Sequence, residues 1–318
     1  MTRRIASVLR ILVFLIPLIG ACGPAASTLP SPATTVAPAA TATSAAFPAT
    51  VTDFQSRSVT IATRPLRIVS IGPSNTEFVF ALGAGDRVVG VDDFSDQPAA
   101  ATKIDKVGGV KVNLEKVVSL KPDLVLSVKF SDGTIERLAA TGLPVLVVDP
   151  QSIGDVSRTA ILLGRAIGAN GDKLASDIDA KLQQVKQKVA GAPGKPRVFH
   201  EVDASDPTKP FTVGPGSFIQ DLITIAGGVN IAAGTASAYP QISVEEVVRA
   251  DPEVIILGDA DYGTTAEQVA ARPGWSGISA VRNKKVFPIA DSLVSRPGPR
   301  VGDAAEAYAK LLHPELYR

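Results

Sequence analysis

The sequence predicts an α/β protein of two similar lobes, each with a central parallel sheet, joined by one long rigid α-helix. Short apolar runs alternate with amphipathic segments, as expected for parallel strands that helices cover on both faces. The pattern occurs twice, and its closest matching segments are 130 residues apart. A stretch without glycine or proline separates the copies. We therefore expect lobe one at residues 51–169, the connecting helix at 170–191 and lobe two at 192–318.

The first residues have the pattern of a secretory signal peptide, which we place at residues 1–21. Three arginines accompany an apolar run, Ile11–Ile19, that is too short to span a bilayer. The run leads to Ala21-Cys22, which resembles a bacterial lipobox, where the cysteine is lipidated. Cys22 is the only cysteine, so it has no disulfide partner within the chain. We expect Cys22 to carry a lipid anchor; an ordinary signal peptide with an incidental cysteine is the alternative.

Residues 22–50 are expected to be the lipidated cysteine and a disordered tether, because the segment is uncharged and rich in Ala, Thr, Ser and Pro. The whole chain carries 32 Lys+Arg and 31 Asp+Glu, so it has no basic field that would recruit nucleic acid. No second apolar stretch is long enough to span a membrane. We expect an extracytoplasmic protein held to the cell membrane by its lipid alone, in the periplasm or on the outer face of the cytoplasmic membrane.

Each copy of the repeat begins with a buried strand, a Gly-Pro turn and a helix that ends in small residues. A second unit is a short helix with a polar N-cap, a proline that stops it and another buried strand. A third strand, followed by an aspartate, closes each copy. In the first helix, Ser74 and Glu77 have the spacing of a capping box. The paired segments are 67–71 with 197–202, 113–126 with 243–256, and 145–149 with 286–291.

One apolar stripe predicts the long connecting helix. Its members recur every three or four residues, Asn170 is a plausible N-cap, and the run should form a stiff rod of roughly 30 Å. Such a rod would restrict hinge closure between the lobes. The stripe comprises Leu174, Ile178, Leu182, Val185 and Val189.

The two lobes predict one shared cleft, because ligands of open α/β sheets bind beyond the carboxyl ends of the strands. Phe94, Phe211 and Tyr239 lie in loops at this cleft and are candidate ligand contacts, with lobe-interface or loop packing as the alternative. Tyr262 and Trp275 are weaker candidates, for which core or loop packing is favoured.

Three polar residues are further candidate ligand contacts. Arg296 and Arg300 follow the third strand of lobe two, and a guanidinium suits carboxylates, catecholates or phosphates. The alternative for each is a surface ion pair or a turn. Asn75 lies at the head of a helix, where free N–H groups can bind an anion.

From Val51 to the C-terminus, the chain resembles the helical-backbone periplasmic binding proteins that deliver ferric siderophores, cobalamin or haem to ABC importers. Residues 53–69 are similar to the N-terminal hairpin and first strand of the siderophore-type members. The other segments that carry the resemblance are Ser74-Asn75-Thr76-Glu77, Leu82-Gly83-Ala84-Gly85, Asn113-Leu114-Glu115, Lys121-Pro122-Asp123-Leu124 and Arg296-Pro297-Gly298-Pro299-Arg300.

The resemblance implies a function and its partners. Family members dock on a permease through one acidic residue per lobe, which corresponds to Glu115 and Glu245; stabilisation of a helix dipole is the alternative for each. The expected ligand is a cobalamin or other corrinoid, or a ferric siderophore, and the choice between them stays open. Its metal would arrive within the ligand, so no intrinsic cofactor is expected. The expected partners are an ABC permease and ATPase, and the protein itself is expected to be a monomer.

Other functions have less support from the residues. Zinc or manganese binders of the same architecture need several histidines with carboxylates, and this chain has only His200 and His313. For haem, the chain offers no tyrosine in lobe one and no well-placed histidine that could serve as an axial ligand to the iron. An enzyme would need a nucleophile or acid–base constellation, and the sequence has no Gly-x-Ser-x-Gly elbow and no reactive cysteine.

Overall fold

A computed structural model describes residues 46–318. The predicted signal peptide, Cys22 and most of the predicted tether lie outside the described residues. The first strand begins at Ala49, so the folded part starts two residues before the expected boundary at residue 51. No helix within residues 46–318 is both long and apolar enough to cross a membrane.

Lobe one has a parallel sheet of four strands in the order β4-β3-β5-β6. An antiparallel hairpin, β1–β2, precedes it, and the N–H of Phe54 joins the hairpin to the sheet by donating to the Val147 carbonyl at 3.0 Å. The strands are β1 (Ala49–Thr52), β2 (Ser58–Ile61), β3 (Ile68–Ile71), β4 (Val88–Val91), β5 (Leu124–Ser127) and β6 (Val145–Val147). The helices are α1 (Pro73–Ala81), α2 (Leu114–Ser119), α3 (Thr134–Ala139) and α4 (Ile153–Ile167).

Lobe two repeats this arrangement around β7, with the order β11-β10-β7-β8 and with β9 also beside β7. The edge strand β8 is antiparallel, and the other pairs are parallel. The strands are β7 (Arg197–Asp203), β8 (Phe211–Thr212), β9 (Val229–Asn230), β10 (Val254–Leu257) and β11 (Val286–Pro288). The helices are α6 (Phe218–Ile225), α7 (Val244–Ala250), α8 (Ala266–Ala270), α9 (Ser279–Arg282), α10 (Asp291–Val294) and α11 (Val301–Leu312).

The repeat read from the sequence extends to single hydrogen bonds. Arg67 and Arg197 precede or begin equivalent strands, and each guanidinium donates to the carbonyls at the end of α2 or α7. Each of those helices is followed by a residue in the left-handed region, Lys121 with φ 49° and Asp251 with φ 44°. The next residue in each copy is the predicted proline. The two lobes are therefore built from the same unit.

Helix α5 (Gly171–Val189) connects the lobes and packs against α4 on one side and α11 on the other. Asn170 caps it as predicted, accepting from the Lys173 N–H at 3.0 Å. A Cβ atom on Gly171 would lie 2.2 Å from the Ala160 carbonyl oxygen of α4. Glycine at this position therefore permits the close crossing of α4 and α5.

Candidate ligand-binding cleft

Three charged side chains connect the two lobes at the carboxyl ends of their sheets. Glu77 lies on α1 of lobe one, whereas Arg296 and Arg300 lie between α10 and α11 of lobe two. Arg300 donates from Nε and Nη2 to the two carboxylate oxygens of Glu77, at 2.7 and 2.8 Å. Arg296 adds a longer contact of 3.4 Å from Nη1 to Oε1. Because Glu77 is buried, solvent screens these charge-assisted hydrogen bonds only weakly.

Asp96, on the loop after β4, gives Arg296 a second carboxylate partner. The Arg296 Nη1 lies 2.5 Å from Asp96 Oδ1, and this hydrogen bond lowers the pKa of Asp96. Burial alone would lower the pKa of Arg296, but Asp96 and Glu77 together raise it. The hydrogen bond to Glu77 raises the pKa of Arg300. Both arginines are therefore charged, and carboxylates of the opposite lobe hold them.

The structure gives Glu77 a different role from the predicted capping box. Gly72 is the N-cap of α1, Pro73 follows it, and no side chain caps the helix. A proline in the first helical turn removes one of the N–H groups that a cap would satisfy. The prediction for Ser74 and Glu77 was wrong because the helix begins before the position that a Ser74 cap requires. The Glu77 carboxylate is thus available to lobe two.

The loop that carries Phe94 is held by a buried polar network. Asp92 Oδ2 accepts from the Gly72 N–H at 2.8 Å and from the Ser95 hydroxyl at 2.6 Å. Gly72 has φ 115°, and a Cβ atom there would lie 2.5 Å from Val128 Cγ1. Only glycine satisfies both conditions without strain. The network fixes the backbone of the loop, while the Phe94 ring stays exposed.

Four aromatic side chains are exposed in the described part of the chain, and all four lie in loops or edge segments at the carboxyl ends of strands. Phe94 is 54% exposed, Phe211 38%, Tyr239 44% and Tyr262 79%. Phe211 and Tyr239 are brought together by their backbones, since the Thr212 N–H donates to the Pro240 carbonyl at 2.9 Å. Because ligands of open α/β sheets bind beyond these strand ends, the four rings are candidate ligand contacts.

The two weaker aromatic candidates differ from each other in the structure. Trp275 is fully buried and packs edge-on against Phe199 with ring centroids 5.9 Å apart, in agreement with the core packing that we favoured. Tyr262 does not pack in a core. Its ring is exposed after β10, and its hydroxyl donates to Asp291 Oδ2 at 3.2 Å. Tyr262 therefore joins the exposed aromatics, a position that its loop sequence did not reveal.

Asn75 faces the interior of lobe one. Its side chain is fully buried, and its amide group donates to the carbonyls of Ile71 and Val148 at 3.1 and 3.2 Å. These bonds connect α1 to two segments that follow or end strands. In this arrangement Asn75 has no exposed surface for a ligand, so its predicted ligand contact remains a prediction that the geometry does not favour.

A cavity of about 470 Å³ borders the cross-lobe ion pairs. Glu77 and Phe80 of α1, Leu174 of α5, and Pro299 and Arg300 of lobe two all line it. None of the four exposed aromatic rings does. The ion pairs therefore lie between the aromatic loops and an apolar space beside the connecting helix.

Glu115 and Glu245 occupy equivalent positions in the two lobes. Each is the second residue of its helix, after the N-caps Asn113 and Ser243. Both side chains are exposed, and neither makes an ion pair within residues 46–318. Each lies one turn before an exposed valine of the same helix, Val118 or Val248.

The two histidines are buried and far from forming a metal site. His200 lies within β7, with Nδ1 2.9 Å from the Tyr308 hydroxyl, and His313 follows α11. Among the described residues, no three histidine, cysteine, aspartate or glutamate side chains are grouped so that they could hold a metal ion. Cys22 is not among those residues.

Two lobes with mainly parallel sheets, a connecting helix and a cleft lined by strand ends define a two-lobed solute-binding protein. The profile of the periplasmic binding protein family matches residues 68–293, and the chain belongs to that family. The resemblance drawn from the sequence motifs is thereby confirmed.

Known proteins extend this assignment. The uncharacterized ABC transporter substrate-binding lipoprotein YvrC of Bacillus subtilis (strain 168) is 36% identical over 281 residues, covering 86% of this chain and 88% of that protein. The periplasmic vitamin B12 binding protein BtuF of Vibrio cholerae has a TM-score of 0.67 at 27% identity, covering 80% of this chain and 99% of that one. The apo form of the periplasmic heme-binding protein RhuT from Roseiflexus sp. RS-1 has a TM-score of 0.69 at 25% identity, with 78% and 99% coverage. These relatives are solute-binding proteins.

Proposed function

We propose that this protein captures a large metal chelate between its lobes and delivers it to the permease and ATPase of an ABC importer. The observation that carries the proposal is the placement of the exposed aromatic rings. All four that occur within residues 46–318 lie beyond the carboxyl ends of strands, and the Phe94 carbonyl is 3.4 Å from Nη2 of the charged Arg296. Large ligands bury most of their surface against aromatic and apolar walls and are oriented by a few polar groups.

The chelate would bring its own metal coordination. A corrinoid or a ferric siderophore needs apolar walls and polar donors from the protein, which Phe94, Phe211, Tyr239 and Arg296 would supply. Arg300 would act at the edge of the site, because Glu77 engages two of its donor atoms. The vitamin B12-binding relative supports a corrinoid as the first candidate.

Haem is the second candidate. Tyr239 and Tyr262 are exposed at the cleft, and a tyrosine phenolate is one of the ligands that proteins give to haem iron. The heme-binding relative supports this alternative. Both candidates use the same cleft.

Titration of the detergent-solubilised full chain tests the proposal. Cyanocobalamin, an uncharged ferric hydroxamate and haemin would each be added while intrinsic fluorescence and heat are recorded. We expect micromolar or tighter binding of at least one chelate. Phe94→Ala should weaken it by about tenfold to a hundredfold, because burying an aromatic side chain contributes roughly 1.5–3 kcal/mol.

Leu66→Ala is the matched control, since Leu66 is an exposed apolar residue at the opposite end of the sheet from Phe94. Its affinity should equal that of the unchanged protein. A folded protein that bound none of these chelates would refute the proposal.

We also propose that Cys22 is lipidated and holds the protein at the membrane surface. The lipobox-like sequence supports this, as does the name of the Bacillus subtilis relative, a lipoprotein. Cys22→Ser should move the protein from the membrane pellet to the soluble fraction after cell lysis. Ser27→Ala, a change in the same segment, should leave it in the pellet. A Cys22→Ser protein that still sedimented with membranes would contradict the anchor.

A further inference from the structure

The charges of the cleft arginines are already balanced by the protein. Arg296 and Arg300 form ion pairs with Glu77 and Asp96, so two guanidinium groups face two carboxylates. Glu77 is 4% exposed, and the cluster lies where the lobes meet. A charged group in such a place is compensated by its neighbours and not by water.

The surrounding loops add no positive excess. The Lys106 ammonium donates to the carbonyls of Asp92 and Ser95, beside the buried Asp92 carboxylate. The exposed cations of these loops are Lys111, Lys129 and Lys209. A larger number of exposed aspartates in the same loops offsets them: Asp93, Asp132, Asp203, Asp206 and Asp261. Clefts that recruit anions concentrate charge of the opposite sign, and this one does not.

An anionic chelate would have to compete with Glu77 for the same donors. If Arg296 and Arg300 turned to the ligand, the Glu77 carboxylate would remain buried without a partner, which is strongly unfavourable. If they stayed with Glu77, the ligand's negative charge would meet Asp96 and the exposed aspartates. A chelate with amide or hydroxamate edges avoids both penalties, because a neutral carbonyl can accept from an N–H that the ion pairs leave free.

We propose that Glu77 is a specificity-determining residue, which reserves the cleft for metal chelates that carry no net negative charge. The inference rests on the proposed function, since it names the chemical class of ligand for the same cleft. Amide-edged corrinoids and uncharged or cationic hydroxamate chelates belong to the accepted class. Tris-catecholate chelates belong to the rejected one. Haem belongs there too because of its carboxylates, so the inference favours the corrinoid over the haem candidate above.

A charge-graded titration of the full chain in detergent tests this inference. The probes are cyanocobalamin and ferrichrome, which carry no net charge, and ferric enterobactin, an anionic tris-catecholate. The unchanged protein should bind an uncharged probe at least about tenfold more tightly than the anionic one. Glu77→Gln frees one positive charge, so it should raise the relative affinity for ferric enterobactin by about tenfold or more.

A second variant keeps the test decisive if Glu77→Gln does not fold. Asp96→Asn removes the exposed carboxylate of the cluster and should shift the ratio in the same direction by a smaller factor. Glu267→Gln, an exposed glutamate with no ion pair within residues 46–318, should leave the ratio unchanged. Tightest binding of ferric enterobactin by the unchanged protein would overturn the inference and leave the proposed function standing. An unaltered ratio in both cluster variants would also overturn it. Absence of binding to every probe would overturn the proposed function and the inference together.

Discussion

His200 is buried in β7 beside Tyr308, and this environment makes the folded protein sensitive to acid. Burial lowers the pKa of His200 from 6.5 to about 3. The imidazole is therefore neutral in the folded state at neutral pH, and Nδ1 shares a hydrogen bond with the Tyr308 hydroxyl at 2.9 Å. The unfolded chain would bind a proton near the ordinary pKa, which couples stability to pH.

The free energy of unfolding should fall as the pH drops from about 6.5 towards 3. Over that window the unfolded state takes up a proton that folded His200 does not, so stability decreases by about 1.4 kcal/mol per pH unit. Above pH 6.5 this loss is absent, because His200 is neutral in both states. Urea unfolding at several pH values would measure the slope.

A substitution isolates the contribution of His200 to that slope. His200→Gln removes the titrating group, so its stability should vary less with pH than that of the unchanged protein by about 1.4 kcal/mol per unit. His313→Gln leaves His200 in place, so the contribution of His200 to the pH dependence of the unfolding free energy should remain. Equal slopes for the unchanged protein and His200→Gln would show that His200 does not cause the acid sensitivity.

At the scale of elements, a buried ion pair joins β7 to the segment between α8 and α9. Glu201 is fully buried in β7, and Arg272 donates to its two oxygens at 2.5 and 2.8 Å. The Arg272 guanidinium also lies 4.8 Å from the centroid of the Trp275 ring. These contacts hold the outer helices of lobe two against the central strand.

Arg272→Met should lower the free energy of unfolding by roughly 3–5 kcal/mol, because it leaves the Glu201 carboxylate buried without a partner. Adding Glu201→Gln to Arg272→Met should recover part of the loss by removing that charge. Arg249→Met, at an exposed surface pair, should change stability by less than about 1 kcal/mol. Unfolding curves in guanidinium chloride would compare these three variants with the unchanged protein. A loss for Arg272→Met no larger than for Arg249→Met would contradict a stabilising role for the buried pair.

At the scale of the whole molecule, duplication of one unit presents the same surface feature twice. Glu115 with Val118, and Glu245 with Val248, are exposed on equivalent helices of the two lobes. A partner that offered matching basic and apolar sites would contact both lobes at once. We propose this pair of surfaces as the permease contact, because exposed charges orient and accelerate encounter between proteins.

Replacing Glu115 and Glu245 together by alanine should reduce chelate uptake in cells by about tenfold or more. The reason is that a close charge pair across an interface contributes a coupling free energy of about 1.5 kcal/mol or more. Affinity of the purified protein for the chelate should not change, because neither residue is among the proposed ligand contacts. The control replaces two other exposed glutamates, Glu136 and Glu267, by alanine and should leave uptake unchanged. Normal uptake by the Glu115/Glu245 variant would argue against this docking surface.

The sequence by itself determined the elements and their repetition, because these depend on local patterns. Apolar runs predicted the strands, the spacing of Ile178, Leu182 and Val185 predicted the buried face of α5, and Asn170 predicted its cap. Proline predicted where α2 and α7 end, and small residues with glycine predicted where α1 and α6 end. The family followed from the same local motifs.

Only the tertiary structure decided which side chains meet across the lobes. Glu77 had the spacing of a cap, yet it binds Arg300, 223 positions away, because the lobes bring α1 and α11 together. Tyr262 is exposed and Asn75 is buried. Each outcome depends on how the loop or helix that carries the residue packs on its sheet. Pairing between distant residues depends on how the sheets face each other, and no local pattern in the chain encodes that geometry.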